Sequence, residues 1–173
     1  MARGVVMFSV GSKVVHPTCG AGVIVRIQEK SLGDLTTKYY VIETASRGRQ
    51  LFVPVDRGEA VGLHPVAPKH RLKNILEEPF EEPRKSDITA DYKARQEEMR
   101  ERLKSGSFSE VLAVVRTLYY INGQRPLGTV DRSLLDLGKE LLASEYALAA
   151  GIDLHTGMRA VEDSLAAGPV TEE

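Results

Sequence analysis

The sequence predicts an α+β protein, with a small antiparallel β-barrel at the N-terminus and an all-α domain after it. Two observations carry this prediction. Up to about residue 65, apolar residues form short β-branched and aromatic runs between turn residues, whereas from about residue 70 they recur at helical spacing. We expect four segments: a barrel at 7–66, a short helix and linker at 67–87, a helical domain at 88–166 and a polar tail at 167–173.

The first half contains about five short runs typical of strands, among them 23–27, 39–42 and 52–55. Glycine, proline and aspartate separate them, at spacings of 8 to 14 residues. Such spacing suits a small antiparallel barrel. Five strands in under 60 residues match the size of an SH3-like or Tudor-like module.

The second half predicts four or five helices. Two prolines, Pro79 and Pro83, end a first short helix, and a highly charged helix is expected from Ile88 to Lys104. The spacing of Ser107 and Glu110 is that of a capping box in front of the next helix. Residues 130–150 carry a broad apolar face, and a last helix is expected to begin near Asp153. Helices joined by such short loops pack antiparallel.

Bulk properties exclude several classes of protein. The net charge is −1, so overall charge does not indicate nucleic-acid binding, and a single cysteine rules out an intramolecular disulfide. No apolar run approaches the ~18 residues of a membrane span, and the N-terminus lacks the pattern of a signal peptide. No phosphate-binding, dinucleotide-binding or hydrolase motif is present. We therefore expect a cytoplasmic protein without membrane contact that is not an enzyme and needs no cofactor or metal.

The only cysteine lies in the stretch VVHPTCGAGVIVRI, three residues after His16. A structural zinc site needs about four ligands, and the remaining histidines lack matching spacing. A thiol nucleophile would need a base close in space, which sequence cannot exclude. The density of turn residues favours a third interpretation, in which Cys19 belongs to a turn and is packed as a small apolar side chain.

Three segments in a fixed order resemble a known family. They are FSVGSKVVHPTCGAGV (8–23), LFVPV (51–55) and AVGL (60–63), followed by a Tyr92-x-x-Arg95 pair and the sequence Leu103-x-Ser-Gly. The chain resembles, over residues 7 to about 166, the CarD/CdnL family of bacterial transcription regulators. In that family the glycine-rich segment is a turn of a Tudor-like barrel.

The resemblance implies that the barrel binds the β subunit of RNA polymerase through an exposed strand edge. The matching segments are 26–30 and 47–53. The implied polymerase-binding residues are Lys30, Arg26, Arg47, Arg49 and Phe52.

The resemblance also implies that the helical domain contacts promoter DNA at the upstream edge of the transcription bubble, where the family uses a tryptophan wedge. This chain has no tryptophan, and counting back from Leu103 places Tyr92 there, with Arg95 at a phosphate-contacting position. The implied DNA-binding residues are Tyr92, Arg95, Lys93, Arg84 and Lys85. We expect a monomer that binds DNA weakly alone and stabilises the open promoter complex when bound to polymerase.

Two other functions are compatible with the residues. The helical half is acidic, with a net charge of −4 over residues 66–173, so it could contact a protein instead of DNA. A thiol enzyme would require Cys19 to be exposed in a cleft near a base. A basic surface around an exposed Tyr92, formed by Arg84, Lys85, Lys93 and Arg95, would distinguish DNA binding from a protein adaptor.

Overall fold

The computed structural model describes residues 7–46, 48–89 and 91–170. It has five strands, β1 (Lys13–His16), β2 (Gly20–Leu32), β3 (Leu35–Thr44), β4 (Gln50–Pro54) and β5 (His64–Pro65). A 3₁₀ turn follows β4 at Val55–Arg57. The helices are α1 (Lys69–Glu77), α2 (Lys85–Thr89), α3 (Tyr92–Leu103), α4 (Phe108–Gln124), α5 (Thr129–Ala150) and α6 (Leu154–Ala166). This layout confirms the predicted α+β class.

The strands form one antiparallel sheet in the order β4-β3-β2-β1-β5, so β4 and β5 are its two ends. The long β2–β3 hairpin closes where Leu32 pairs with Leu35, which leaves a two-residue turn. Gly33 begins that turn with a φ of 63°, a left-handed conformation that suits glycine. A register shift between Ile24 and Arg26 marks a bulge, which bends β2.

The concave side of the sheet holds a small apolar core, composed of Val14, Ile24, Tyr40, Ile42, Val53 and Leu63. Alternate residues of β2 and β3 point into it, because successive side chains of a strand face opposite sides. The buried Tyr40 ring keeps its hydroxyl partnered, since that oxygen accepts a hydrogen bond from the backbone N–H of Phe8 at 3.0 Å. The core fixes which side of the sheet faces outward.

A second and larger core lies among α1, α3, α4, α5 and α6, with Leu118, Leu142 and Leu165 almost fully buried in it. Leu72 and Leu76 of α1 belong to this core as well. The short helix within the predicted linker is therefore structurally part of the helical domain. In the part of the chain that the structure describes, no helix is long and apolar enough to cross a membrane.

The charged helix predicted from Ile88 to Lys104 is two helices, which corrects the sequence prediction. The second one, α3, begins at Tyr92, and the Asp91 carboxylate before it accepts a hydrogen bond from the N–H of Lys93 at 3.0 Å. An aspartate in this position starts a new helix by satisfying a free N–H. Tyr92 thus lies at a helix end and not within a longer helix.

The end of the described chain is held on the linker. The N–H of Val170 donates to the carbonyl of Phe80 at 2.9 Å, and the two segments form an isolated parallel bridge. The Phe80 ring in turn lies 4.3 Å from the Arg116 guanidinium of α4. The linker therefore follows the surface of the helical domain.

The sheet is seated on α5 through hydrogen bonds. The Ala21 N–H donates to the Ser144 hydroxyl at 3.2 Å, and the Lys13 ammonium donates to the Leu148 carbonyl at 2.9 Å. Near the β3–β4 turn, the Ser46 hydroxyl donates to the Glu140 carboxylate. These contacts, which we call the sheet–α5 seam, set the position of the sheet relative to the helices.

Candidate functional site

Three of the five predicted polymerase-binding residues come together on the outer face of the sheet. Arg26 and Lys30 share that face of β2 because they lie an even number of residues apart past the bulge. Val41 of β3 is opposite both Arg26 and Phe52, so these side chains occupy one row across three strands. The alternation of side chains along each strand, together with the register of the strands, therefore brings Arg26, Lys30 and Phe52 onto one face.

Lys30 lies over two aromatic rings. Its ammonium is 4.3 Å from the centroid of the Phe52 ring and 5.7 Å from that of Tyr39, which is the range of cation–π contacts. Phe52 nevertheless remains 41% exposed. We call Lys30, Tyr39 and Phe52 the aromatic–lysine cluster, a solvent-facing surface with both apolar area and positive charge.

The cluster lies beside a free strand edge. β4 pairs with β3 on one side and ends the described sheet on the other, so backbone groups of 50–54 face outward. A strand edge of this kind can accept a strand from another protein. Arg49, just before β4, is exposed but lines a cleft next to α5 and not the cluster. Arg47, another predicted residue, lies outside the described residues.

Tyr92 is the most exposed aromatic side chain of the described chain, at 59%. It begins α3, and Lys93 beside it is exposed. Tyr92 lines a recess of about 440 Å³ that the start of α5 and residues 125–127 complete. Arg84 and Lys85 are also exposed and lie at the start of the preceding helix, α2.

Arg95 does not belong to this exposed surface, so the basic surface that would distinguish DNA binding from a protein adaptor lacks one of its four residues. Only 6% of Arg95 is exposed. One guanidinium nitrogen, Nη2, donates to Asp131 Oδ2 at 2.7 Å, and Nη1 donates to the Ile88 carbonyl at 2.9 Å. The reason is position: Arg95 lies four residues before Met99 and eight before Leu103, on the buried stripe of α3.

The buried acidic partners of α5 were missed by sequence reasoning. Asp131 and Glu145 are both buried, and they lie on the apolar stripe of α5 that contains Leu135 and Leu142. Stepping three or four residues along the helix from that stripe reaches both carboxylates. A charged residue at an apolar stripe position was thus the signal that could have found them.

Glu145 faces the sheet across the seam. Burial raises the pKa of the Glu145 carboxyl, while a hydrogen bond from the Ala67 backbone and the charge of His64 act in the opposite direction. His16, whose pKa burial lowers, lines the same narrow gap between the sheet and α5. An ionisable group therefore lies inside the contact between the two halves.

Cys19 lies in a turn, as predicted, but its side chain is exposed, so the prediction that it packs in the core is wrong. The two residues after it, Gly20 and Ala21, take the buried positions against α5. The Thr18 hydroxyl lies 3.2 Å from His16 Nδ1 and 3.6 Å from Cys19 Sγ. Among the described residues, no three His, Cys, Asp or Glu side chains come together as a metal site.

Comparison with known proteins places both halves in one family. The description "CarD-like/TRCF RID domain" matches residues 8–67, and "CarD, C-terminal domain" matches residues 74–162. A protein of Bacillus subtilis (strain 168) named "Putative transcription factor YdeB" is 29% identical over 146 residues, which cover 84% of this chain and 94% of that protein.

Proposed function

This chain belongs to the CarD family of transcription factors, and on that premise we propose that it binds the RNA polymerase β subunit and stabilises the open promoter complex. In this proposal the outer face of the sheet holds polymerase, and Tyr92 enters the minor groove at the upstream edge of the bubble. The protein acts as a monomer and without catalysis.

The aromatic–lysine cluster and the free β4 edge support the polymerase contact. A partner strand added to β4 would gain backbone hydrogen bonds, while Phe52 and Lys30 beside it would provide apolar contact and charge. Aromatic side chains are enriched among the residues that dominate binding energy at protein interfaces. We therefore assign affinity to the strand edge and specificity to the cluster.

The single observation that carries the DNA contact is the exposure of Tyr92. An aromatic ring that is 59% exposed at the end of a helix is available to stack on an unstacked base step. Lys93 beside it can approach a phosphate. Such a ring binds the melted fork better than closed duplex, and this difference in affinity shifts the promoter toward the open state.

The low net charge of −1 is compatible with this mechanism. Free DNA affinity depends mainly on the number of phosphate contacts, and a chain without excess positive charge gains little from them. Binding to polymerase holds Tyr92 near the promoter and raises its effective concentration there. DNA contact is thus expected only within the polymerase complex.

A protein adaptor is the second candidate function, and the burial of Arg95 favours it. With Arg95 paired inside the protein, the basic surface near Tyr92 loses one of its four predicted members. In that case Tyr92 would bury its ring against a protein partner. The two candidates differ in whether the lifetime of the open complex depends on Tyr92.

The test is the lifetime of the open complex on one promoter, followed with competitor DNA present. Stacking of an aromatic ring on a base is worth roughly 1–3 kcal/mol, so Tyr92→Ala should shorten the lifetime by about 5-fold to 150-fold. Tyr92→Trp should lengthen it. Tyr119→Ala, which removes another exposed tyrosine, is the control. Unchanged lifetimes for both Tyr92 variants would favour the adaptor.

A further inference from the structure

We propose that Arg95 and Asp131 are positioning residues, which hold the end of α3 so that the Tyr92 ring projects in a fixed direction. The consequence for DNA rests on the function proposed above, but the positioning itself does not. Nothing in this assignment requires Arg95 to touch DNA. It gives the Tyr92-x-x-Arg95 spacing of α3 a physical role inside the protein.

The Arg95 guanidinium joins three segments of the chain. Its two terminal nitrogens reach the Ile88 carbonyl of α2 at 2.9 Å and Asp131 of α5 at 2.7 Å. Gln96 Nε2 donates to the second oxygen of Asp131 at 2.9 Å. The Asp131 carboxylate thus binds two consecutive residues of α3, and both of its oxygens are used.

Tyr92 lies one helical turn before Arg95, so any rotation or shift of the first turn of α3 moves the ring directly. The ring itself is mostly exposed and contributes little packing of its own. Its direction must therefore come from the residues that anchor the turn. The Arg95–Asp131 pair is a buried anchor about one turn along α3 from Tyr92, with side-chain exposures of 6% and 10%.

A charged pair suits this task better than an apolar contact. Apolar packing is not directional, whereas the planar guanidinium fixes the orientation of its donors. The α2 helix ends at residue 89, so the Ile88 carbonyl is one of the terminal groups that need a partner from outside the helix. Arg95 supplies it and thereby holds the junction between α2 and α3.

The chain offers a direct reporter, because it has no tryptophan. Tyr92→Trp introduces a single indole whose fluorescence anisotropy reports the freedom of the ring in the full-length protein. Into this background we would place Asp131→Asn, Arg95→Lys and the milder Gln96→Ala. Arg100→Gln, which removes a more exposed arginine of the same helix, is the matched control.

We expect lower anisotropy for the Asp131, Arg95 and Gln96 variants, with unchanged helix content, and no change for Arg100→Gln. Arg95→Lys is informative because it keeps the charge but loses the planar fork. If Arg95 were a phosphate contact, lysine would replace it with little loss. For a positioning residue, Arg95→Lys should shorten the open-complex lifetime toward that of Tyr92→Ala.

Salt dependence separates the two roles further. Loss of one phosphate contact lowers the slope of log affinity against log salt by about 0.9. Lys93→Gln should lower that slope in the polymerase complex, while Arg95→Gln should leave it unchanged. A lower slope for a variant that removes Arg95's charge, Arg95→Gln, would overturn the positioning role.

The outcomes distinguish this inference from the proposed function. Unchanged anisotropy in folded Asp131→Asn and Gln96→Ala proteins would overturn the positioning role, whatever the lifetime of the open complex. Lower anisotropy with an unchanged open-complex lifetime would uphold positioning and overturn the DNA contact of Tyr92. Lower anisotropy with a shorter lifetime would support both.

Discussion

The outer face of the sheet and the tip of α3 both present an aromatic ring and a lysine to solvent, yet they are held in place differently. Phe52 and Lys30 are placed by the pairing of three strands, and their side chains contact each other on the surface. Tyr92 depends on a buried ion pair one turn away. Substitutions at the sheet surface should therefore have little effect on folding stability. The position of Tyr92 should instead depend on two nearly buried residues, Arg95 and Asp131.

The largest difference in the free energy of unfolding should appear between Arg95→Ala and Arg26→Ala. Removing one member of a buried ion pair leaves the other charge without a partner, at a cost of roughly 3–5 kcal/mol. Arg26 is exposed, so its substitution should change the free energy of unfolding by no more than about 0.5 kcal/mol. Denaturant unfolding of both full-length variants measures this contrast. Equal midpoints would show that the Arg95–Asp131 pair contributes no net stability.

The next contrast concerns polymerase affinity. Phe52→Ala should weaken binding to the polymerase β subunit by about 1–2 kcal/mol, which is roughly 5-fold to 30-fold, because it removes the exposed ring of the aromatic–lysine cluster. Ile27 is almost equally exposed, at 42% against 41%, but faces the other side of β2. Ile27→Ala is therefore a matched control. Equal losses for both variants would place the contact elsewhere on the sheet.

The seam between the two regions should respond to pH through Glu145. Its folded pKa is raised, so its protonated form favours the folded state, and this contribution is lost as pH rises from the ordinary value of 4.5 through the raised one. The groups that face it are His64, His16 and the Ala67 N–H.

Glu145→Gln should remove this pH dependence. Relative to wild type, the variant should become more stable as pH rises, which denaturant unfolding at a series of pH values would measure. Asp136→Asn, at an exposed position of the same helix, is the control for loss of one carboxylate. A stability difference between Glu145→Gln and wild type that is constant across pH would contradict the raised pKa.

The sequence predicted the sheet surface better than the α3 tip, for a physical reason. The family resemblance implies Arg26, Lys30 and Phe52, and alternation along β2 is enough to place the first two on one face. On α3, the spacing of Tyr92 and Arg95 does not reveal that the first side chain is exposed and the second is buried. That burial depends on Asp131, 36 residues away along the chain, which no local pattern connects to Arg95.

The same limit explains the two wrong predictions about burial. The family resemblance implies a phosphate contact for Arg95 and hence exposure, whereas the carboxylate that pairs with it inside the protein lies 36 residues away in sequence. Core packing of Cys19 is the expectation from its turn-rich segment between two β-branched runs, since cysteine often behaves as a small buried apolar side chain. In the structure the turn directs Cys19 outward, while Gly20 makes the close approach to α5.

The smallest expected effect on the free energy of unfolding is that of a substitution at Cys19, in the turn between β1 and β2. Cys19→Ala should change the free energy of unfolding by no more than about 0.5 kcal/mol, since the side chain is exposed and its neighbour Thr18 is the only sulfur contact described. Transcriptional activity should also be unaffected if the thiol has no chemical role. Loss of activity in a folded Cys19→Ala protein would instead revive a catalytic function for the His16–Thr18–Cys19 group.

The adjacent position serves as the control for that measurement. Gly20 has a φ of 86°, and a Cβ there would lie 2.9 Å from the Ser144 hydroxyl oxygen of α5. Gly20→Ala should therefore cost about 1–3 kcal/mol, because it adds backbone strain and also disturbs the seam. The two substitutions should thus differ clearly in their effect on the free energy of unfolding, because Cys19 faces solvent and Gly20 faces α5. Equal effects of Cys19→Ala and Gly20→Ala on unfolding would mean that the seam does not depend on this turn.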